Sequence, residues 1–297
     1  MGAGRKRLGA HDRPFLARRR AEGLRAARPS LISAATELGR RGTGGTGYNE
    51  PGAPNGRLSA WARALAKRMS GRLAGLSSMA TRLILADLAR EYEARAGTHV
   101  EIRSVGGVEA AKLVRAGEAM DVVVLASKVM GALEAEGHLE KGSVADFARS
   151  EIGVAVRAGS PPLSVESEQA VKQAMLEARR ICYSTGPSGD HLKALCEKWG
   201  LADSILGRAL VAPPGVPVAS LVASGEADLG LQQLSELIGQ PGVEVVGPLP
   251  PEIQAVTVFS AGVASKSADP AAARALVAFL ASSETGDTKR AHGMEPA

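Results

Sequence analysis

Three short stretches of this chain place small hydroxyl and glycine residues where a strand would end and a helix begin. "GLSSMA" carries Ser77 and Ser78, "SVGGVEA" carries Ser104, Gly106 and Gly107, and "STGPSGD" carries Ser184, Ser188 and Gly189. None of the three contains Lys or Arg. A helix leaves its first backbone N–H groups without intrahelical partners, and glycine lets a ligand approach that backbone closely. An anion is one natural occupant of such a loop. The plainer role is capping, in which Ser188 or Asp190 bonds the free N–H groups of the following turn. Capping accounts for any one loop; three together point to a dianion held by neutral dipoles.

Catalytic readings are thinner. The five histidines are His11, His99, His138, His191 and His292. His191 alone lies near a candidate loop, where it reads as a first-turn helix residue. Glu226 and Asp228 in "ASGEADLG" read as a solvated turn before a strand. No nucleophile, base and orienting group stand at workable spacing, so no catalytic residue, cofactor or enzyme activity is expected. Cys182 and Cys196 have no His or Cys partner at metal-binding spacing; they read as core thiols, and no metal site is expected.

These loops need a scaffold, and the apolar pattern supplies one. "LAGLSS" reads as a buried strand, followed by a helix whose Leu83, Leu85, Leu88, Ala89 and Tyr92 share one face until Gly97 stops it. "HVEIRSV", a loop and helix over "GGVEAAKLVRAGEA", the doubly buried strand "DVVVLAS" and the helix "KVMGALEAEGHL" come next. The pattern restarts at "IGVAVRAG". A helix near 167–178, the strand "RICYST", a helix near 189–200, strands near "RALVA" and "ADLGLQQ", then "VEVVGPLP" and "AVTVFSAGVAS" complete a second set. Asp269-Pro270 is a cap and first-turn pair for the last helix. Strands alternating with helices imply α/β architecture with mostly parallel sheets, in two units.

Charge divides the chain unevenly. Residues 1–68 hold 13 Arg and 2 Lys against 1 Asp and 3 Glu, a net of +11, whereas the remainder carries −6. The Arg-rich and Gly/Pro-rich leader has no hydrophobic period, so it is expected to be disordered or a non-native extension, with Met69 as a candidate start. Its glycines lack the Gly-Lys-Ser/Thr ending of a phosphate loop. No export signal and no run of ~20 apolar residues is visible. No nucleic-acid partner is expected for the acidic body, and a monomer is expected.

The segment "GLSSMATRLILADLAREYEARAGTHVEIRSVGGVEAAKLVRAGEAMDVVVLAS" resembles the N-terminal lobe of the molybdate-binding proteins of ABC importers. "STGPSG", "VASGEADLGLQQLSEL" and "AGVASKSADPAAARALVAFLASSE" resemble the second lobe and closing helix, so the likeness covers roughly 72–297. It implies the two-lobed type II periplasmic-binding-protein fold, with crossings near Glu151–Val154 and Gln254–Val258. One lobe would hold 69–150 with 259–297, and the other 151–258. The family's first-loop serine falls on Ser77 or Ser78. Its second-loop serine falls on Gly106–Gly107, where only backbone N–H groups can serve. Its Pro-Ala-Gly segment becomes Pro187-Ser188-Gly189, and a backbone donor falls near Gly215–Val216. Its ligand-binding tyrosine becomes Gln232 or Gln233, which offers an acceptor as well as a donor. The resemblance implies a solute-binding protein for a small oxyanion such as molybdate or tungstate, an importer permease as partner, and a periplasmic place. The alternative is a cytoplasmic metabolite sensor on the same clamp, favoured by the missing export signal.

Overall fold

The computed structural model describes residues 71–297; the basic leader and Met69 lie outside the described residues. Two sheets organise the described chain. In the first, β1 (Arg72–Ser78) pairs in parallel with β2 (His99–Val105) and β3 (Val122–Ala126). Strand β10 (Thr257–Val263) returns antiparallel between β3 and β4 (Ala145–Ser150), and β11 (Glu295–Pro296) closes that edge. In the second, β6 (Ile181–Tyr183) runs parallel to β7 (Leu210–Val211) and β8 (Leu229–Gln233). Strand β5 (Ile152–Arg157) lies antiparallel between β8 and β9 (Val243–Pro248).

The two-lobed α/β architecture read from the sequence is the one observed, with sheets that are mixed rather than mostly parallel. The reason lies in the crossings. Only Glu151 separates β4 from β5, so the chain runs straight from one sheet into the other, and it returns between Pro248 and Thr257. Strands entering by such a route meet the parallel set from the opposite direction, whereas strands joined by helices are held parallel.

Strand β3 is buried on both faces, as its unbroken apolar run requires. Val122 and Val124 face helices α1 (Arg82–Ala96) and α9 (Pro270–Ala281). Val123 and Leu125 face α2 (Gly107–Arg115) and α3 (Ser127–Ala135). On α1, Ile84, Leu85, Leu88, Ala89 and Tyr92 form the buried stripe, and Gly97 at φ 65° ends the helix. Complete burial of Leu88 alone contributes about 1.5–3 kcal/mol. Asp269 caps α9 by accepting from Ala272 N at 3.2 Å. The second sheet packs β5, β6 and β8 against α4 (Glu168–Glu177), α5 (Pro187–Lys198) and α6 (Ala202–Leu206) on one face. Its other face carries α7 (Val218–Ala223). Cys182 and Cys196 are free buried thiols.

Candidate functional site

In the first lobe, two of the three loops meet. Ser77 and Ser104 are register partners on β1 and β2, and their hydroxyls lie 2.8 Å apart, so Ser77 ties the strand ends together. Ser78 is 8% exposed, and no protein group bonds its Oγ. A Cβ built on Gly107 would sit 3.8 Å from the Ser78 Cβ, which places the start of α2 beside that hydroxyl. The first helical bond of α2 joins Ala110 N to Gly106 O. The N–H groups of Gly107, Val108 and Glu109 are therefore left without intrahelical partners.

The loop "STGPSGD" is not a capping loop. Helix α5 begins at Pro187 after Gly186 at φ +124°, and no side chain caps it. Ser188 is the second helical residue and is buried, while Asp190 points to Lys193 at 2.8 Å. Gly189 has a steric reason: a Cβ there would lie 2.0 Å from the Ser184 carbonyl oxygen. Glycine alone lets the helix start against the end of β6. The N–H groups of Ser188 and Gly189 precede the first helical bond, from Asp190 N to Gly186 O.

The two adjacent glutamines go different ways, because successive strand residues point to opposite faces. Gln232 is 2% exposed. Its Nε2 donates to Ser184 Oγ at 3.2 Å and to Glu236 Oε2 at 2.7 Å, while no protein group bonds its Oε1. Gln233 instead fastens the crossings. With Nε2 facing the Ser150 and Glu151 carbonyls at 3.1 and 3.2 Å, its Oε1 accepts from Thr257 Oγ1 at 2.9 Å. Gln254 adds a second fastening by accepting from Ile152 N at 3.0 Å and donating to Ile152 O at 3.1 Å. Val216 is not an open donor either, since its N–H bonds Pro213 O at 3.0 Å within a turn.

The group that joins the lobes was not singled out from the sequence. Directly after β8 comes the single turn α8 (Leu234–Leu237). There Ser235 Oγ donates across the seam to Ala80 O at 2.8 Å. Ile238 fills the space that a Cβ on Gly293 would occupy. Glu236 is half-buried. Burial pushes its pKa from the ordinary 4.5 up to about 7, against the opposing pull of Arg82 and the Gln232 hydrogen bond. Arg82 starts α1 in the other lobe, so the charge that opposes the rise comes from across the seam. Among the described residues, no cluster of His, Cys, Asp or Glu could hold a metal ion. No helix among them is long and apolar enough to cross a membrane.

The profile of the bacterial extracellular solute-binding proteins matches residues 73–295. The chain belongs to that family. A member named aconitate isomerase, from a Pseudomonas species, is 36% identical over 217 residues, covering 71% of this chain and 82% of that protein. Among solved structures, the periplasmic molybdate-binding protein of Azotobacter vinelandii superposes with a TM-score of 0.64 at 21% identity, covering 75% of this chain and 98% of that one. The substrate-binding domain of a putative molybdenum ABC transporter from Clostridium difficile gives 0.60 at 17% identity, with 77% and 100% covered. An agropinic-acid complex of a binding protein from A. tumefaciens R10 gives 0.59 at 12%, with 77% and 83% covered. At these identities the structural likenesses show the fold alone.

The isomerase relative corrects one expectation. No enzyme activity is expected from the loops, which hold no nucleophile, base and orienting group at workable spacing, yet a 36% identical relative bears an enzyme's name. Histidines and charged pairs are legible in a sequence as local signals, whereas a carboxyl such as Glu236, whose pKa burial raises, is perturbed by its tertiary surroundings. The one local signal was its position four residues after Gln232.

Proposed function

We propose that this solute-binding protein binds a small unsaturated polycarboxylate in its cleft and isomerises it, with aconitate as the leading substrate. The observation that carries the reading is Glu236, a carboxyl at the lobe seam whose pKa of about 7 suits proton transfer at neutral pH. The 36% identical relative named aconitate isomerase supports it. Aconitate is a three-carbon chain with a carboxylate on each carbon, one double bond and one CH2. Ionised Glu236 takes a proton from the CH2, and the electron pair spreads over the allylic system. The same carboxyl then returns the proton to the other end carbon, and the double bond moves. One proton leaves and one returns, so the step needs no oxidant or reductant. Arg82 and the N–H groups of Gly107, Ser188 and Gly189, which lack intrahelical partners, support the reading as groups able to stabilise carboxylates and the charge that develops. Ser78 Oγ offers a further donor, and Gln232 orients Glu236. Val216 and Gln233 take no part in this site; one is spent in a turn and the other at the crossings.

A second reading keeps the earlier ligand class: the same clamp takes a molybdate- or tungstate-like oxyanion and delivers it to an ABC importer permease. The neutral donors of the three loops favour it, as does the fold shared with molybdate-binding proteins. One experiment separates the two. The protein is incubated with trans-aconitate and, in parallel, titrated calorimetrically with molybdate and tungstate. Formation of cis-aconitate at enzymatic rates supports the first reading. Tight oxyanion binding without conversion of aconitate supports the second.

A further inference from the structure

One atom of the seam has no role in the proton shift. Gln232 Oε1 is buried, bonded by no protein group, and fixed in direction because its Nε2 is committed to Glu236 and Ser184. A buried acceptor without a donor is costly, so a ligand that supplies one gains more than an ordinary hydrogen bond. Its counterpart in the other lobe, Ser78 Oγ, is a hydroxyl that can donate to any anion. The acceptor is the discriminating member of the pair. A fully deprotonated oxyanion or carboxylate has only acceptors to present and cannot satisfy it.

We propose that Gln232 is a specificity-determining residue that selects polycarboxylates carrying a hydrogen-bond donor, above all a hydroxyl beside the carboxylates. The inference rests on the polycarboxylate reading of the cleft and adds a ligand class to it: hydroxylated tricarboxylates bind as unreactive competitors or products of neighbouring chemistry. They have no allylic CH2 for Glu236 to deprotonate, yet they fill the acceptor that an unsaturated substrate leaves open. Glu236 Oε2, which accepts from the Nε2 of the same Gln232, is the neighbouring acceptor. The two are separable, because the side-chain amide of a Glu236→Gln variant still accepts from Gln232 Nε2.

The test compares propane-1,2,3-tricarboxylate with citrate, which differs by one hydroxyl, by calorimetric titration of the full chain at pH 8. Citrate should bind about five- to a hundredfold more tightly, the range for leaving one buried acceptor unmatched. The preference should persist in Glu236→Gln and disappear in Gln232→Met, with thermal melts confirming that each variant is folded. Equal affinity of the unsubstituted protein for the two ligands overturns the inference while leaving the isomerase reading intact, and this comparison needs no variant. A preference that survives Gln232→Met also overturns it. Failure of both tricarboxylates to bind sinks the ligand reading and this inference together.

Discussion

Replacing Glu236 with Gln should make the protein more stable at pH 8 and leave it unchanged near pH 4. Burial raises the Glu236 pKa from 4.5 to about 7, and that figure already contains the opposing influence of Arg82 and Gln232. The gap corresponds to about 3 kcal/mol at roughly 1.4 kcal/mol per pH unit. The sign follows from linkage. A group with a raised folded-state pKa contributes its full stability below about pH 4.5 and loses it as pH rises through about 7. The amide of Glu236→Gln never ionises and can still accept the 2.7 Å hydrogen bond from Gln232. Because Glu236 is half-buried rather than sealed, the gain at pH 8 should be about 2–3 kcal/mol. Urea denaturation followed by circular dichroism at both pH values measures it. A variant equally or less stable than the parent at pH 8, or a gain that does not shrink on acidification, would refute the reasoning. On the proposed mechanism the same substitution should slow turnover by about a hundredfold to ten-thousandfold.

Other substitutions separate neighbouring roles. Ser188→Ala removes no cap bond and should change unfolding free energy by less than about 0.5 kcal/mol. Gly189→Ala drives a methyl into the Ser184 carbonyl and should cost at least about 1–3 kcal/mol, both by chemical denaturation. Burial raises the thiols of Cys182 and Cys196 to about 12 and about 11, so a thiol reagent at pH 8 should find neither in the native protein and both in guanidinium. Gln233→Ala unfastens Ser150, Glu151 and Thr257 and should cost about 2 kcal/mol or more in the same denaturation assay.

The fold was legible where one element carries its own pattern. The run Val122–Leu125 can only be a strand buried on both faces, and Gly97 marks the end of α1 without help from the rest of the chain. Strand β4 was not named because Asp146 and Arg149 break its apolar run, and α7 and α8 are too short to show a period. Within the candidate site, the loops at the strand ends were legible because small residues there are a local signal. What they do there was less legible: Gly186, not Ser188, sits at the N-cap of α5, since a φ of +124° suits only glycine. Gln232 and Gln233 could not be told apart in sequence. The crossings that claim Gln233 lie more than twenty residues away on one side and about eighty on the other. Glu236 was not singled out because what surrounds it is remote in sequence: its neighbour Ser235 bonds Ala80 after β1, and the charge of Arg82 acts on its carboxyl.

Whether Glu236 moves a proton of the bound ligand decides between an isomerase and a plain binding protein. The direct measurement is proton NMR of trans-aconitate in deuterium oxide, with the parent protein and with Glu236→Gln, each at saturating ligand. The parent should convert trans- to cis-aconitate and exchange ligand CH2 and vinyl protons for deuterium. Glu236→Gln should bind the ligand but slow both processes by about a hundredfold to ten-thousandfold, the share a positioned base supplies. Bound trans-aconitate that neither exchanges nor converts with the parent protein, or a Glu236→Gln variant that matches the parent's rate, would contradict it.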